Sequence, residues 1–160
     1  RLPQFKKKNI RKYTIILFFS RFTISAFAQT SLYEGTWKGI MLSNTSDVDN
    51  GKGLPVTLFI SSDNEAGEMV GEMSIQYRYQ TDIYKAKYSV NGLIDYENKS
   101  IYIEQVKLIY YDLLPRGLQW CFGNGTFQIF RNPYKKKNYL DGYMTTSCGP
   151  EKLRMVLIKK

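Results

Sequence analysis

The feature that most constrains the fold is a two-residue alternation of apolar and polar side chains in the middle of the chain. From Met69 to Tyr79 the odd positions are apolar or glycine, and from Glu72 onward the even positions are polar. Tyr84 to Ile94 repeats this period with its apolar side chains and glycine on even positions. Neighbouring side chains of a strand point to opposite faces, so both segments are predicted to be strands with one buried face. The polar residues 80–82 between them predict a hairpin.

Similar short segments run through the rest of the chain, separated by turn residues. The predicted strands are Gly35–Leu42, Leu54–Ser61, Met69–Tyr79, Tyr84–Ile94, Lys99–Asp112, Leu118–Phe122, Thr126–Phe130, Tyr139–Thr145 and Leu153–Ile158. A one-residue change of phase predicts a β-bulge near Glu104-Gln105, and Gly123-Asn124-Gly125 predicts a hairpin turn. The fold class is therefore all-β, an antiparallel up-and-down meander of about eight or nine strands. We expect closure into a barrel through pairing of the last strand with the first, with a β-sandwich as the alternative.

The first 28 residues have the order of an export signal. A basic head (residues 6–12) precedes an apolar stretch (residues 13–20), and Ala26-Phe27-Ala28 offers the small residues that a signal peptidase accepts. The uncharged stretch is far shorter than the roughly 20 residues that a bilayer requires. We predict a signal peptide over residues 1–28, cut near Ala28–Gln29, and one secreted or periplasmic domain over residues 29–160 without a transmembrane segment. An N-terminal amphipathic helix or buried strand is the alternative.

Removal of this segment changes the charge of the chain. The whole sequence has 23 basic and 14 acidic residues, a net charge of +9, while residues 1–28 hold seven basic residues and no acidic one. The remaining domain is nearly balanced, which gives no electrostatic basis for binding nucleic acid. The basic run Lys135-Lys136-Lys137 follows Asn132-Pro133, a context that predicts an exposed hairpin tip; a phosphate or anionic glycan contact is the alternative.

The two cysteines, Cys121 and Cys148, bear on the compartment. An even pair in an exported protein is typical of a disulfide, with two buried free thiols as the alternative. The chain has no histidine, and two cysteines alone are too few ligands for a metal. We therefore predict a disulfide, no metal site and no cofactor.

The motif Gly35-Thr36-Trp37 opens the first predicted strand and resembles the calycin superfamily, the lipocalins, fatty-acid-binding proteins and avidins. Residues 54–73 look like the second and third strands of such a barrel. The resemblance implies that Trp37 plugs the closed end and that a basic residue on the last strand, with Arg154 as the match, covers it. Gly39 stands where avidins have an asparagine, so biotin binding is not implied. The chain is also similar to small exported proteins of unknown role from Bacteroidota.

Several kinds of catalytic chemistry are excluded by composition. Without histidine there is no Ser/His or Cys/His nucleophile and no histidine proton shuttle. Paired carboxylates such as Glu68 with Glu72, or Glu104 with Asp112, would suffice for glycoside hydrolysis. Their positions on the polar phase or at strand ends favour solvated surface residues. We predict that the protein is not an enzyme.

The aromatic residues carry the remaining functional hypothesis. Tyr77, Tyr88, Trp120 and Tyr143 are the candidate ligand contacts, and Tyr77 and Tyr88 are expected inside the barrel because their strands alternate most clearly. The predicted function is a monomeric, exported β-barrel that binds a small apolar or carbohydrate-like ligand, or an envelope component. A structural or protein-interaction module of the cell envelope with a filled core is the alternative, and a carboxylate-dependent hydrolase is a third. A cavity of a few hundred Å³ would favour the ligand binder over the interaction module.

Overall fold

The computed structural model describes residues 32–42, 53–62 and 66–160 of the chain. The chain divides into two compact units, Arg1–Tyr33 and Glu34–Lys160. Of the first unit, only Leu32 and Tyr33 are described, and their backbone is helical. The predicted signal peptide, its cut near Ala28–Gln29 and most of the polar segment between the first two strands lie outside the described residues, so these remain predictions.

The second unit is all-β within the described ranges, and its eight strands follow one another as an antiparallel meander. The strands are β1 (Gly35–Leu42), β2 (Leu54–Ser62), β3 (Glu68–Tyr79), β4 (Asp82–Asp95), β5 (Ser100–Tyr111), β6 (Gly123–Arg131), β7 (Asn138–Thr146) and β8 (Gly149–Lys159). The alternating pattern explains these elements, because each strand has one apolar face that folding removes from water.

The meander closes into a barrel because the last strand pairs with the first. In the β1–β8 pair, Trp37 lies opposite Lys159 and Met41 lies opposite Met155. Closure removes the free edges that an open sheet would present to solvent and to other chains. The prediction of a closed barrel is confirmed, and the alternative of a β-sandwich is wrong.

The alternating strand directions give the barrel two distinct ends. β1 begins at one end, where the turns between β4 and β5 and between β6 and β7 also lie, and we call this the Trp37 end. The other end carries the loop of residues 112–122 between β5 and β6 and the turn between β7 and β8, and we call it the loop end.

The interior follows the period of two that the sequence predicts. Met73 and Tyr88, which face each other in the β3–β4 pair, have at most 1% of their surface exposed, whereas Tyr77 nearer the loop end is half-buried. At the Trp37 end the interior is packed with large buried side chains. These include Trp37, Ile60, Met69, Ile101 and Leu140. The stacked apolar side chains account for most of the driving force for folding, at about 25 cal/mol for each Å² removed from water.

One predicted strand and one predicted turn are wrong. Leu118–Phe122 belongs to the loop of residues 112–122 and forms no strand, while Gly123, Asn124 and Gly125 begin β6 and pair with Thr146, Thr145 and Met144. The apolar character of the segment predicted a strand, but the segment is attached to the barrel by the Cys121–Cys148 disulfide and by the contact of the Phe122 ring with Tyr88. Those contacts replace the backbone ladder in this segment.

The predicted β-bulge is present in β5. Val90 lies opposite Gln105 but the next β4 residue, Ser89, lies opposite Lys107, so the register passes over Val106. A second shift occurs where Lys87 lies opposite Tyr110, which the sequence analysis did not predict. The first shift moves the residue of β5 that lies opposite the inward side chains of β4 from an odd position, Gln105 opposite Val90, to an even one, Leu108 opposite Tyr88. The second shift returns it to an odd position, Tyr111 opposite Ala86.

Gly39 lies at an inward position of β1 where the structure leaves no room for a side chain. A Cβ atom there would lie 1.9 Å from the backbone oxygen of Val156 on β8, far inside van der Waals contact. The close approach of two backbones requires glycine. This is also the position where the avidin-like pattern has an asparagine.

The segment Lys135–Lys137 forms part of the exposed connection between β6 and β7, as predicted. The Asn132 side-chain oxygen Oδ1 accepts hydrogen bonds from the backbone N–H groups of Tyr134 and Lys135, at 3.0 and 2.9 Å.

No helix in the described ranges combines the length and the apolar character that a membrane-spanning helix needs.

Candidate binding cavity

A cavity of about 240 Å³ lies at the loop end of the barrel. Strand residues form its wall and residues of the β5–β6 loop cover it. The lining residues are Met41, Leu54, Ile75, Tyr77, Tyr88, Gln105, Leu114, Leu118, Gln119, Trp120, Cys121, Gly123, Met144, Thr146 and Leu153. Among these described lining residues none carries a charge, and most are aliphatic, aromatic or sulfur-containing. Such a surface suits an apolar molecule, and binding pockets are commonly built in this way at barrel mouths.

The loop of residues 112–122 is held over the cavity by two hydrogen bonds. The Trp120 indole N–H donates to the backbone oxygen of Asp112 at 2.8 Å, which closes the loop on itself. The Tyr88 hydroxyl donates to the backbone oxygen of Cys121 at 3.0 Å and joins the loop to the barrel wall. Both donors are the polar ends of otherwise apolar side chains, so the rings remain available to line the cavity.

A disulfide fixes the far side of the loop. Cys121 is bonded to Cys148 in the turn between β7 and β8, 27 residues later, which confirms the predicted pairing. Next to it, the Ser147 backbone N–H donates to the Phe122 oxygen at 2.8 Å, and the Phe122 N–H donates to Ser147 Oγ at 3.1 Å. The cover of the cavity is therefore attached both to the loop-end turn and to β4.

Asp112 anchors the start of the loop. Its carboxylate accepts hydrogen bonds from the Tyr110 hydroxyl at 2.5 Å and from the Lys85 backbone N–H at 2.8 Å. These two bonds lower the pKa of the Asp112 carboxyl, and the Tyr110 bond is the larger cause. Asp112 is not among the residues that line the cavity, so its charge does not contribute to the cavity wall.

Tyr88 is the most buried aromatic residue in the cavity wall. It has 1% of its surface exposed, and its ring meets Phe122 edge to face, with ring centroids 5.5 Å apart. Burial raises the pKa of the Tyr88 hydroxyl to about 12. The hydroxyl therefore stays neutral at physiological pH and acts as a hydrogen-bond donor.

Gln105 is a functional candidate that the sequence analysis missed. It is 6% exposed and is the first residue of β5 beyond the ladder with β6, which ends at the Glu104–Asn124 pair. Its Oε1 accepts a hydrogen bond from the Gly123 N–H at 2.8 Å, and its Nε2 donates to the Met73 sulfur at 3.1 Å. The available signal was its position on the inward phase set by Ile101 and Ile103, where a polar side chain is unusual.

The structure brings three of the four predicted ligand contacts together. Tyr77, Tyr88 and Trp120 all line the cavity. Tyr143 lies on the outer face of β7 with 54% of its surface exposed, and it does not line the cavity. The reason is its phase, since the neighbouring Met144 is the β7 residue that points inward and lines the cavity there.

The basic residue over Trp37 is Lys159 and not Arg154. The Lys159 ammonium lies 5.7 Å from the centre of the Trp37 ring, within cation–π range. Arg154 points outward and forms a bidentate ion pair with Asp141, with nitrogen–oxygen distances of 3.0 and 2.7 Å. Met155, Leu157 and Lys159 share the inward phase of β8, so an even-numbered residue could not cover Trp37. Burial lowers the pKa of the Lys159 ammonium.

The candidate carboxylates are placed outside the cavity. Glu72 is on the outer face, where it pairs with Lys87 at 3.0 Å. Glu104 lines an adjoining polar groove of about 230 Å³, which shares Gln105, Gly123 and Thr146 with the cavity. Glu104 is the one acidic side chain among the described residues of that groove. No cluster of three or more potential metal ligands occurs in the part of the chain that the structure describes.

The fold and the cavity define the chain as a small closed β-barrel with an uncharged, mostly apolar chamber under a disulfide-bonded loop. Comparison with models of known protein families gives no match, and comparison with curated proteins gives no match either.

Proposed function

We propose that this protein binds a small, neutral, mostly apolar molecule in the cavity at the loop end of the barrel. The observation that carries the proposal is the cavity itself, about 240 Å³ in volume, with no charged side chain among its described lining residues. An apolar molecule bound there would make van der Waals contacts with the lining side chains, and its apolar surface would be removed from water.

The composition of the wall favours an apolar ligand over a carbohydrate. A sugar carries hydroxyl groups around its whole ring, and each one that leaves water needs a hydrogen-bond partner. The polar side chains that line the cavity are few, and the Tyr88 hydroxyl and the Gln105 oxygen Oε1 already make hydrogen bonds within the protein, so too few groups remain for the several hydroxyl groups of a sugar. The interaction-module alternative requires a filled core, so the cavity supports ligand binding over it.

The proposed setting is the periplasm or the outside of the cell. Two independent features support it, the signal-like residues 1–28 and the disulfide between Cys121 and Cys148, since structural disulfides persist in oxidising compartments. Mass spectrometry of the protein isolated from its own host tests this setting. A mature chain beginning near Gln29 is expected, and a chain that retains residues 1–28 would contradict it.

We also propose a calycin-like relationship as a hypothesis about ancestry. It is supported by the closed up-and-down barrel, by Trp37 buried at one end and by the ammonium of Lys159 over its ring. A barrel alone is shared by unrelated proteins, so these features do not identify a ligand.

The binding proposal is tested with isopropylbenzene, a neutral hydrocarbon, added to ¹⁵N-labelled protein and followed by amide NMR. Saturable chemical-shift changes are expected at Trp120, including its indole N–H, and at the backbone of Tyr88. The matched variants are Met144→Phe, which fills the cavity from β7, and Tyr143→Phe on the outer face of the same strand. Binding is expected to be lost in the first and retained in the second.

Two results of this experiment would contradict the binding proposal. If the wild-type protein shows no saturable change with isopropylbenzene or with a polar analogue of the same size, the cavity does not bind small molecules and the proposal fails. If Met144→Phe binds as well as the wild type, the molecule binds elsewhere and the proposal also fails.

A further inference from the structure

The carboxamide of Gln105 has an orientation that its hydrogen bonds fix. A backbone N–H can only donate, so the group that faces Gly123 must be the oxygen Oε1, and the distance of 2.8 Å is that of a good hydrogen bond. The amide nitrogen Nε2 must then point the other way, away from Gly123. The usual ambiguity between the two ends of a glutamine side chain is thereby resolved.

The donor side of this carboxamide is poorly satisfied. Its acceptor is the thioether sulfur of Met73, at 3.1 Å, and a thioether is a weak acceptor. Gln105 is 6% exposed, so water is largely excluded from the group. A buried amide that gives up water for a weak partner loses part of the hydrogen-bond energy it had in solution. Gln105 also lines the cavity, so a bound molecule can reach it.

We propose that Gln105 selects ligands that carry one neutral oxygen acceptor, a ketone or similar carbonyl, on an otherwise apolar framework. The inference rests on the proposed binding function and specifies its ligand class. The ligand oxygen accepts a hydrogen bond from Gln105 Nε2, which relieves the weak contact with the Met73 sulfur. Oε1 remains on the Gly123 N–H, so the structure of the β5–β6 junction is unchanged.

Charge and size narrow the class further. A carboxylate or an ammonium group would enter a chamber whose described lining residues offer no opposite charge, and such burial is strongly unfavourable. The cavity measures about 240 Å³. By proportion with a 150 Å³ cavity that holds benzene, it accommodates roughly ten non-hydrogen atoms. An aromatic ketone with a short side chain has one oxygen acceptor, carries no charge and is of this size.

The test compares acetophenone with isopropylbenzene, two molecules of nearly the same shape with equal numbers of non-hydrogen atoms. They differ in that a carbonyl oxygen replaces one methyl group. Dissociation constants are measured by NMR titration of the wild-type protein, and each is corrected for the free energy of transferring that molecule from water to an apolar solvent, because the carbonyl group costs more to take out of water than the methyl group. The corrected values are expected to favour acetophenone about tenfold, the effect of one hydrogen bond of ordinary strength. The Gln105 side-chain amide protons are expected to move downfield with acetophenone and not with isopropylbenzene.

Two variants assign the preference to one side chain. Gln105→Met removes the carboxamide at similar length and is expected to abolish the preference for acetophenone while isopropylbenzene still binds. Gln119→Met is the matched control, because Gln119 also lines the cavity but lies on the exposed part of the loop. It is expected to keep the preference. The resonance shift of Gln105 in the wild type is an independent measurement, valid even if Gln105→Met does not fold.

The outcomes separate this inference from the proposal on which it rests. Equal corrected affinities of the wild type for both molecules, with the Gln105 amide resonances unmoved, overturn the role of Gln105 but leave the binding function standing. Retention of the preference in Gln105→Met overturns it in the same way. Failure of both molecules to bind overturns the binding function and this inference together.

Discussion

The two ends of the barrel are built from the same alternating strands but are completed in different ways. At the Trp37 end the interior is occupied by Trp37, Met69, Ile101 and Leu140, each at most 1% exposed. At the loop end the ladder between β5 and β6 stops at the Glu104–Asn124 pair, and a loop with a disulfide takes its place. The cavity lies beneath that loop.

The difference shows how stability and an open chamber can coexist in one small domain. Atoms around a cavity lack partners on one side and forgo their dispersion energy, so a chamber lowers the free energy of unfolding. Dense packing at the Trp37 end and covalent attachment of the loop offset that loss. Each end should therefore respond differently to substitution, and three experiments measure the contrast.

The largest effect is expected from removing a tryptophan at the packed end. Trp37→Ala should lower the free energy of unfolding by about 3–5 kcal/mol, because it deletes a fully buried ring and leaves a void. Trp120→Ala removes a half-buried ring from the loop end and should lower it by clearly less, while it weakens ligand binding. Urea unfolding followed by circular dichroism measures both.

Equal losses from the two tryptophans would mean that the ends contribute alike, and the contrast would be wrong. If Trp37→Ala does not fold, Trp37→Phe provides a milder variant with the same expected direction. Affinity for isopropylbenzene should be unaffected by Trp37→Phe, since Trp37 does not line the cavity.

The second experiment removes the covalent attachment at the loop end. Replacing Cys121 and Cys148 together by serine should lower the free energy of unfolding by about 3.5 kcal/mol, as expected when a loop of this length is no longer closed in the unfolded chain. The loop of residues 112–122 should also move more freely, so the affinity for isopropylbenzene should fall. The wild-type protein treated with a dithiol reductant should show the same two changes.

The matched control is Ser147→Ala in the same turn. Its Oγ accepts one hydrogen bond from the Phe122 N–H, so its loss should be smaller, about 1 kcal/mol. If the double serine variant has the same urea unfolding midpoint as the wild type and binds isopropylbenzene equally well, the disulfide does not hold the loop of residues 112–122 over the cavity.

The Trp37 end could be predicted largely from the sequence, because its structure depends on local alternation. The strands that supply Met69, Ile101 and Leu140 were all predicted, and so was closure through the last strand. The placement of a basic residue over Trp37 was predicted on Arg154, which has the wrong phase. The apolar residues Met155 and Leu157 indicate that odd positions of β8 point inward, and that signal leads to Lys159.

The loop end could be predicted only in part, because its structure depends on contacts between distant residues. The disulfide of Cys121 with Cys148 was predicted from composition and compartment. The conformation of residues 118–122 was not, since Trp120 bonds to the backbone of Asp112 and Cys121 accepts from Tyr88, contacts that no local pattern indicates. The cavity is the space that remains between such a loop and the strand ends, and its volume has no signature in the sequence.

The smallest effect is expected from one hydroxyl group at the loop end, and its sign depends on pH. Tyr88→Phe removes the hydrogen bond to the Cys121 oxygen and should lower the free energy of unfolding at neutral pH by about 1 kcal/mol.

Burial raises the pKa of Tyr88 from 10.0 to about 12 in the folded protein. Between these values the unfolded chain releases the phenolic proton while the folded chain keeps it, so the wild type loses stability as pH rises. The phenylalanine variant has no such proton, and the wild-type advantage should therefore shrink and then reverse as pH rises from 10 to about 12. Urea unfolding of both proteins across this range measures the difference, and a difference that stays constant would show that Tyr88 is not held neutral beneath the loop.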